Sequence, residues 1–212
     1  MNIYTNTFRF VSFRIRMSST IININKGTGA GGSNTNLNGK MFENKTENES
    51  RLISKGFVHK NIPGYKGKNN YYLEKIESDE KYIVYVSQNG LKPYFAHFFK
   101  KEVVRCPDEA YLIRDKDAYT LKILEKKNQN VAGSVADKLQ IGEYMKYEYQ
   151  QCVGDNINIK YAFCLSDFLK KTYLSDTIKY KILREYNAKH DIDVLFGDDE
   201  DYFTKLDEWI NI

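Results

Sequence analysis

Three charged side chains stand out by type and spacing: Asp108, directly after Pro107, then Glu125 seventeen residues on, and Lys127 two places beyond it. The stretch around Glu125 reads as a strand, in which alternate side chains share a face. Leu121, Ile123, Glu125 and Lys127 then point one way, and Lys122, Leu124 and Lys126 the other. Apolar residues deeper in the strand share a face with a carboxylate and an ammonium near its end, which roots a partly desolvated site in the sheet. If the preceding strand pairs beside it, Asp108 comes close to Glu125. Two carboxylates held together repel, and a hard divalent cation bound through oxygen relieves this. Mg²⁺ is the expected ion. It would polarise a phosphodiester, lower the pKa of a bound water and neutralise charge on the leaving oxygen. Lys127 would orient or help deprotonate the attacking water and offset charge building on phosphorus.

The elements that must hold these groups follow from pattern. Cys106 to Ile113 reads as a strand, Arg114 to Asp117 as a charged turn and Tyr119 to Lys127 as a second strand, together a hairpin. Upstream, Ile21 to Ile24 is a short strand. Gly27, Gly29, Gly31 and Gly32 with Ser33, Asn34, Thr35 and Asn36 make a loop. A helix is expected from Gly39 to Lys55, with Glu43 in its first turn and Gly56 as its stop. Strands and turns fill Phe57 to Pro93, the clearest being Lys81 to Val86, and Phe95 to Phe99 reads as either strand or short helix. Downstream come a helix from Ser134 to Cys152 with Val135, Leu139, Gly142, Met145 and Tyr149 on one face, and an alternating strand from Ile157 to Leu165. A helix from Phe168 to Tyr186, a strand from Ile192 to Phe196 and a helix from Tyr202 to Ile210 close the series. The fold class is α/β, a mixed central sheet flanked by helices, with parallel crossovers after the hairpin.

The 212 residues suffice for one domain, expected over 21–212, with residues 1–20 as an extension. That extension carries Arg9, Arg14 and Arg16 and no acid up to Met17, which is a candidate for the true start. No apolar run approaches a membrane span, so no membrane partner is expected. Cys106, Cys152 and Cys164 are odd in number and lack a CxxC pair. This argues against a disulfide framework or zinc knuckle and for an intracellular, cytoplasmic setting. His59, His97 and His190 form no zinc pattern. Net charge is +4 but uneven: residues 189–212 hold eight acids against two lysines, leaving 30 basic and 20 acidic residues before them. That basic part could face phosphates, or could simply be a soluble surface ahead of an acidic helix. The run Gly27 to Gly32 fits GxGxxG, yet Ser-Asn-Thr-Asn follows instead of an apolar helix, and no acid-ended strand appears about twenty residues on. A Walker A loop fails because Met41 follows Lys40 and Asn34 replaces its first glycine.

Pro107-Asp108, with Glu125-Lys126-Lys127 at a strand end, resembles the PD-(D/E)XK nucleases, and specifically type II restriction endonucleases. Leu121 to Leu139, the glycine loop with Phe42-Glu43, and the closing Leu195-Phe196-Gly197-Asp198-Asp199-Glu200-Asp201-Tyr202-Phe203 look similar to the same family, so the resemblance spans most of 27–210. It implies a restriction-endonuclease-like sheet, Asp108 and Glu125 as Mg²⁺ ligands, Lys127 as catalytic lysine and Glu43 as a further carboxylate near the metal. It also implies double-stranded DNA cut to leave 5′-phosphates, a homodimer reading a short palindrome, and a cognate DNA methyltransferase acting on the same site. Ser33, Asn34, Asn36, Gln129 and Asn130 are candidates for contact with DNA, although such residues also cap helices and form turns. Two other readings stand beside it: a junction-resolvase-like nuclease, and a DNA-binding protein of the same fold without cleavage. Each residue alone has a plainer meaning, Asp108 as a Pro-Asp turn, Glu125 and Lys127 as a solvated strand end, Glu43 as a partner of a helix dipole.

Overall fold

The structure is a computed structural model that describes residues 40–66, 70–129, 134 and 136–212. The expected strand at Ile21 to Ile24, the glycine loop, Ser33, Asn34, Asn36, Asn130 and Val135 lie outside the described residues. Among the described residues seven strands form one sheet in sequence order: β1 (Val58–Asn61), β2 (Tyr71–Ile76), β3 (Lys81–Ser87), β4 (Glu109–Asp115), β5 (Ala118–Lys127), β6 (Ile157–Leu165) and β7 (Ile192–Phe196). The first five pair antiparallel, and β6 and β7 add in parallel, so the protein is mixed α/β. The β4–β5 hairpin forms as expected but is tighter. Asp115 pairs Ala118 across a two-residue turn in which Lys116 takes a positive φ of 55°. Of the segment Phe95 to Phe99, the first four residues end a helix and Phe99 is its C-cap.

Helices cover both faces. On one side lie α3 (Leu91–Phe98), α4 (Gly142–Val153), α5 (Asp167–Tyr173) and α6 (Ile178–Lys189), packed on Leu121, Ile123, Tyr161, Phe163 and Leu165. On the other lie α1 (residues 40–45), α2 (Glu49–Ser54) and α7 (Tyr202–Ile210), packed on Leu124, Ala162 and Cys164. Both faces of β5 and β6 are thereby dry, which is why their middle residues are uninterruptedly apolar or nearly so. No helix among the described residues is long and apolar enough to cross a membrane.

Three expected helices are divided. The Gly39-to-Lys55 helix breaks between α1 and α2, where Thr46 and Asn48 are fully buried. The Thr46 hydroxyl donates to the Phe42 carbonyl at 2.8 Å and the Asn48 amide donates to the Tyr111 hydroxyl at 2.9 Å, so local and tertiary partners replace helical ones. Its end is as expected, with Gly56 at φ 89° after the last turn. The Phe168-to-Tyr186 helix breaks into α5 and α6 around Ser175. There the Arg184 guanidinium donates to the Ser175 carbonyl at 3.0 Å and to the Tyr173 carbonyl, satisfying groups the interrupted helix frees. The Ser134-to-Cys152 helix opens as a 3₁₀ turn over Ala136–Ile141 and becomes α-helical at Gly142.

The acids of the last 24 residues work internally. Asp207 takes both Arg51 and Lys55 of the α2 region, Asp198 takes Lys45 of α1, and Asp199 takes Lys170 of α5. Gly197, just past β7, lets α1 come close. A Cβ there would sit 2.6 Å from Thr46 Cγ2, 2.7 Å from Phe42 Cζ and 2.8 Å from Cys164 Sγ. Gly197→Ala therefore pushes α1 off the sheet and should lower the unfolding free energy by about 1–3 kcal/mol, read from urea denaturation.

Candidate active site

Asp108 precedes β4 by one residue, opposite the last turn of β5, and its backbone and side chain are both engaged. Its carbonyl accepts the Gln88 N–H at 3.2 Å, and its carboxylate accepts the Lys126 N–H at 2.6 Å. The carboxylate thus extends the β4–β5 ladder past the last paired residues, fixing Asp108 against the strand that carries Glu125. Asp108 lies close enough to Glu125 for its backbone and its charge both to act on that carboxylate. Glu125 Oε1 lies 2.6 Å from Lys127 Nζ, both side chains about one-fifth exposed. Asp108, Glu125 and Lys127 are therefore brought together, at the end of the sheet where parallel strands release their carboxyl termini, the usual place for a site in such sheets.

Burial raises the Glu125 pKa above the ordinary carboxylate range, and the Asp108 charge adds to this. The Lys127 ammonium opposes both and does not cancel them. The phenols of Tyr149 and Tyr161 are pushed well up, chiefly by burial and next by the Glu125 charge, which marks the apolar wall behind that carboxylate. The donor set fits a hard cation of modest demand. Mg²⁺ takes one or two protein carboxylates and completes its shell with water and substrate phosphate, and Asp108 with Glu125 supplies two carboxylates.

Glu43 arrives from the other side. It is exposed on α1, whose Phe42 packs on the face opposite Glu125, and it lines a cavity of about 200 Å³ with Glu47, Asp108, Glu109 and Lys126. Among the described residues no three His, Cys, Asp or Glu side chains are grouped to hold a metal. Gln129, just past Lys127, is tied by its backbone to Ser166. Its N–H donates to Ser166 Oγ at 3.3 Å, while the Ser166 N–H donates to the Lys127 carbonyl at 3.1 Å. Neighbouring Asn128 lines a cavity of about 520 Å³ with Met41, Lys45, Asp167, Phe168 and Lys171.

Sequence reasoning did not foresee what Lys126 does. It points away from Glu125 as alternation requires, but into a closed polar network. Lys126 Nζ lies 2.7 Å from Glu109 Oε1 and donates to the Thr46 carbonyl at 2.9 Å, with the two charged side chains 6% and 2% exposed. The Tyr111 hydroxyl donates to the other Glu109 oxygen and receives the Asn48 amide. The signal was present. Glu109 pairs with Leu124, so it shares a face with Lys126 as a diagonal neighbour. Lys122 on the same face donates to the Trp209 carbonyl near the end of α7, a placement that suits a cation at a helix carboxyl terminus.

Compared with protein-family models, curated proteins and solved structures, the chain matches none.

Two outcomes follow from this geometry. Lys126→Ala leaves Glu109 buried and unpaired and should cost about 3–5 kcal/mol in urea unfolding, whereas Lys126→Met combined with Glu109→Gln recovers much of it. For Glu125, a folded pKa above the unfolded one means that the folded chain binds the proton more tightly. The group's favourable contribution is present below the ordinary glutamate pKa and lost as pH rises through the raised value. Glu125→Gln in metal-free protein should then raise the melting temperature at neutral pH by about 1–3 °C and leave it unchanged in acid; a fall at neutral pH would contradict the assigned cost of burial.

Proposed function

We propose that the chain is a Mg²⁺-dependent endonuclease of the PD-(D/E)XK type that hydrolyses phosphodiester bonds of double-stranded DNA and leaves 5′-phosphates. The observation that carries the reading is the Glu125–Lys127 pair at 2.6 Å, with Asp108 fixed beside it by the Lys126 N–H. Charge type, spacing and position at the strand end are those the chemistry requires. The seven-stranded mixed sheet with helices on both faces supports a restriction-endonuclease-like fold.

Asp108 and Glu125 would hold Mg²⁺. The bound ion supplies Lewis acidity toward the phosphate and acidifies coordinated water. Lys127, whose ammonium is held in place by Glu125, orients the attacking water and offsets negative charge on the phosphorus centre in the transition state. The apolar wall of Tyr149 and Tyr161 strengthens these interactions by excluding solvent from Glu125. Glu43 is held to a lesser part, approaching Asp108 across the small cavity rather than joining Glu125. By the same reading the enzyme acts inside the cell as a homodimer on a short palindrome, alongside a methyltransferase that protects the same site.

The test is digestion of long unmethylated duplex DNA by the purified protein with Mg²⁺, beside EDTA and beside Lys127→Ala. Discrete fragments are expected. Chelation should abolish them, and the variant should cut at least about 100-fold more slowly. Intact DNA from folded protein across metals and pH would overturn the reading, and cutting of four-way junctions alone would reassign the substrate.

A further inference from the structure

β5 ends on Lys127, and the last residue of a strand is among those most free to fray. Its partner across the parallel ladder is Leu165, the last residue of β6. Directly after Leu165 comes Ser166, only 3% exposed, and it holds the exit of β5. The Ser166 N–H donates to the Lys127 carbonyl at 3.1 Å. The Ser166 hydroxyl accepts the Gln129 N–H at 3.3 Å and donates to the Gln129 carbonyl at 3.4 Å. One residue thus takes backbone groups on both sides of Asn128 and carries the ladder past the end of the strand.

This is not the duty its position assigns. Ser166 is the N-cap of α5, with extended backbone (φ −69°, ψ 164°), and a serine there ordinarily turns its hydroxyl to the first N–H groups of the helix. The Ser166 side chain makes no such bond. The Asp198 carboxylate, arriving from beyond β7, accepts the Asp167 N–H at 2.7 Å instead, and its other oxygen takes the Lys45 ammonium at 2.6 Å. The Ser166 carbonyl still accepts the Lys170 N–H at 2.8 Å, so the first turn of α5 closes normally. A cap supplied from a third element leaves the hydroxyl for β5.

What the hydroxyl steadies is the root of Lys127. A lysine carries its charge on a flexible four-carbon stem, so a small rotation of the backbone at its root swings the ammonium through a larger arc. Lys127 Nζ stands 2.6 Å from Glu125 Oε1, and displacing a reacting group by about 1 Å slows a reaction on the order of 100-fold. Both hydroxyl contacts are at the long end of the hydrogen-bond range, so they add little to global stability. Their effect is local, on the residues that leave the strand.

We propose that Ser166 is a positioning residue for Lys127, its hydroxyl clamping the exit of β5 so that the ammonium keeps its place beside Glu125 during phosphodiester hydrolysis. The proposal rests on the nuclease reading and adds to it a residue that acts through Lys127 rather than on the substrate.

The experiment compares the full-length protein with Ser166→Ala and with Thr172→Ala. The control removes a hydroxyl that donates to the Phe168 carbonyl at 3.0 Å within α5 and leaves the end of β5 untouched. Two readouts are taken: steady-state cleavage of duplex DNA in Mg²⁺, and amide hydrogen exchange without metal. Ser166→Ala should lower kcat at least about 10-fold with KM within about 3-fold, and Thr172→Ala should leave kcat within about 2-fold. Exchange of the Gln129 N–H should quicken at least about 10-fold in Ser166→Ala alone, while Leu121 and Ile123 in the middle of β5 stay protected. Unchanged exchange at Gln129, unchanged kcat despite faster exchange, or an equal loss of kcat in Thr172→Ala overturns the proposal. Failure of the nuclease reading looks different: the unaltered protein then leaves the duplex intact, while exchange at Gln129 still responds to Ser166→Ala and the clamp has no reaction to position.

Discussion

The end of β5 is organised by a buried lysine. Lys126 faces inward among Glu109 and Thr46, with Tyr111 one hydrogen bond further on and Asn48 two, and a charge in that position is tolerable only when its partners are all in place. Meeting that demand interrupts the helix at Thr46–Asn48, brings α1 and α2 onto the sheet, and fixes the start of β4 against the end of β5. The strand's alternation does the rest. With Lys126 held inward on one face, Glu125 and Lys127 must emerge on the other, and the Lys126 N–H takes the Asp108 carboxylate. One residue's backbone and side chain thus connect the closed network on one side to the candidate reaction centre on the other.

That connection sets two charged pairs of opposite character on a single strand. Glu109–Lys126 is sealed and coordinated by neutral polar neighbours, a structural clamp. Glu125–Lys127 is partly open, and burial together with Asp108 raises the Glu125 pKa, so its ionised form is held at a cost to stability. A frustrated carboxylate beside a satisfied one is the pattern expected where a site is kept ready for a ligand the protein itself does not supply.

The hairpin, β6, β7 and α7 were legible from the sequence because period and turn chemistry were both local and consistent there: alternation in Ile157–Leu165, a polar turn before Ala118, helical spacing in Tyr202–Ile210. The breaks at Thr46–Asn48 and around Ser175 were not, since helical periodicity runs through them. Their causes, the Tyr111 hydroxyl and the Arg184 guanidinium, lie far off in sequence or on the next helix. Asp108, Glu125 and Lys127 could be picked out by type and spacing. The side from which Glu43 approaches could not, because it depends on Phe42 docking to the face opposite Glu125.

The clasp between α1–α2 and the stretch after β7 has a consequence for the order of events during synthesis. Lys45, Arg51 and Lys55 are made early, but Asp198, Asp207 and the close seat at Gly197 come some 150 residues later. Until that late stretch leaves the ribosome, α1 and α2 have no complete dock, and the wall of the cavity beside Asp108 stays open. Nascent chains halted before Gly197 would carry the hairpin and its charged pair on an unfinished support. The complete support of the candidate site thus arrives only with the residues that close the clasp.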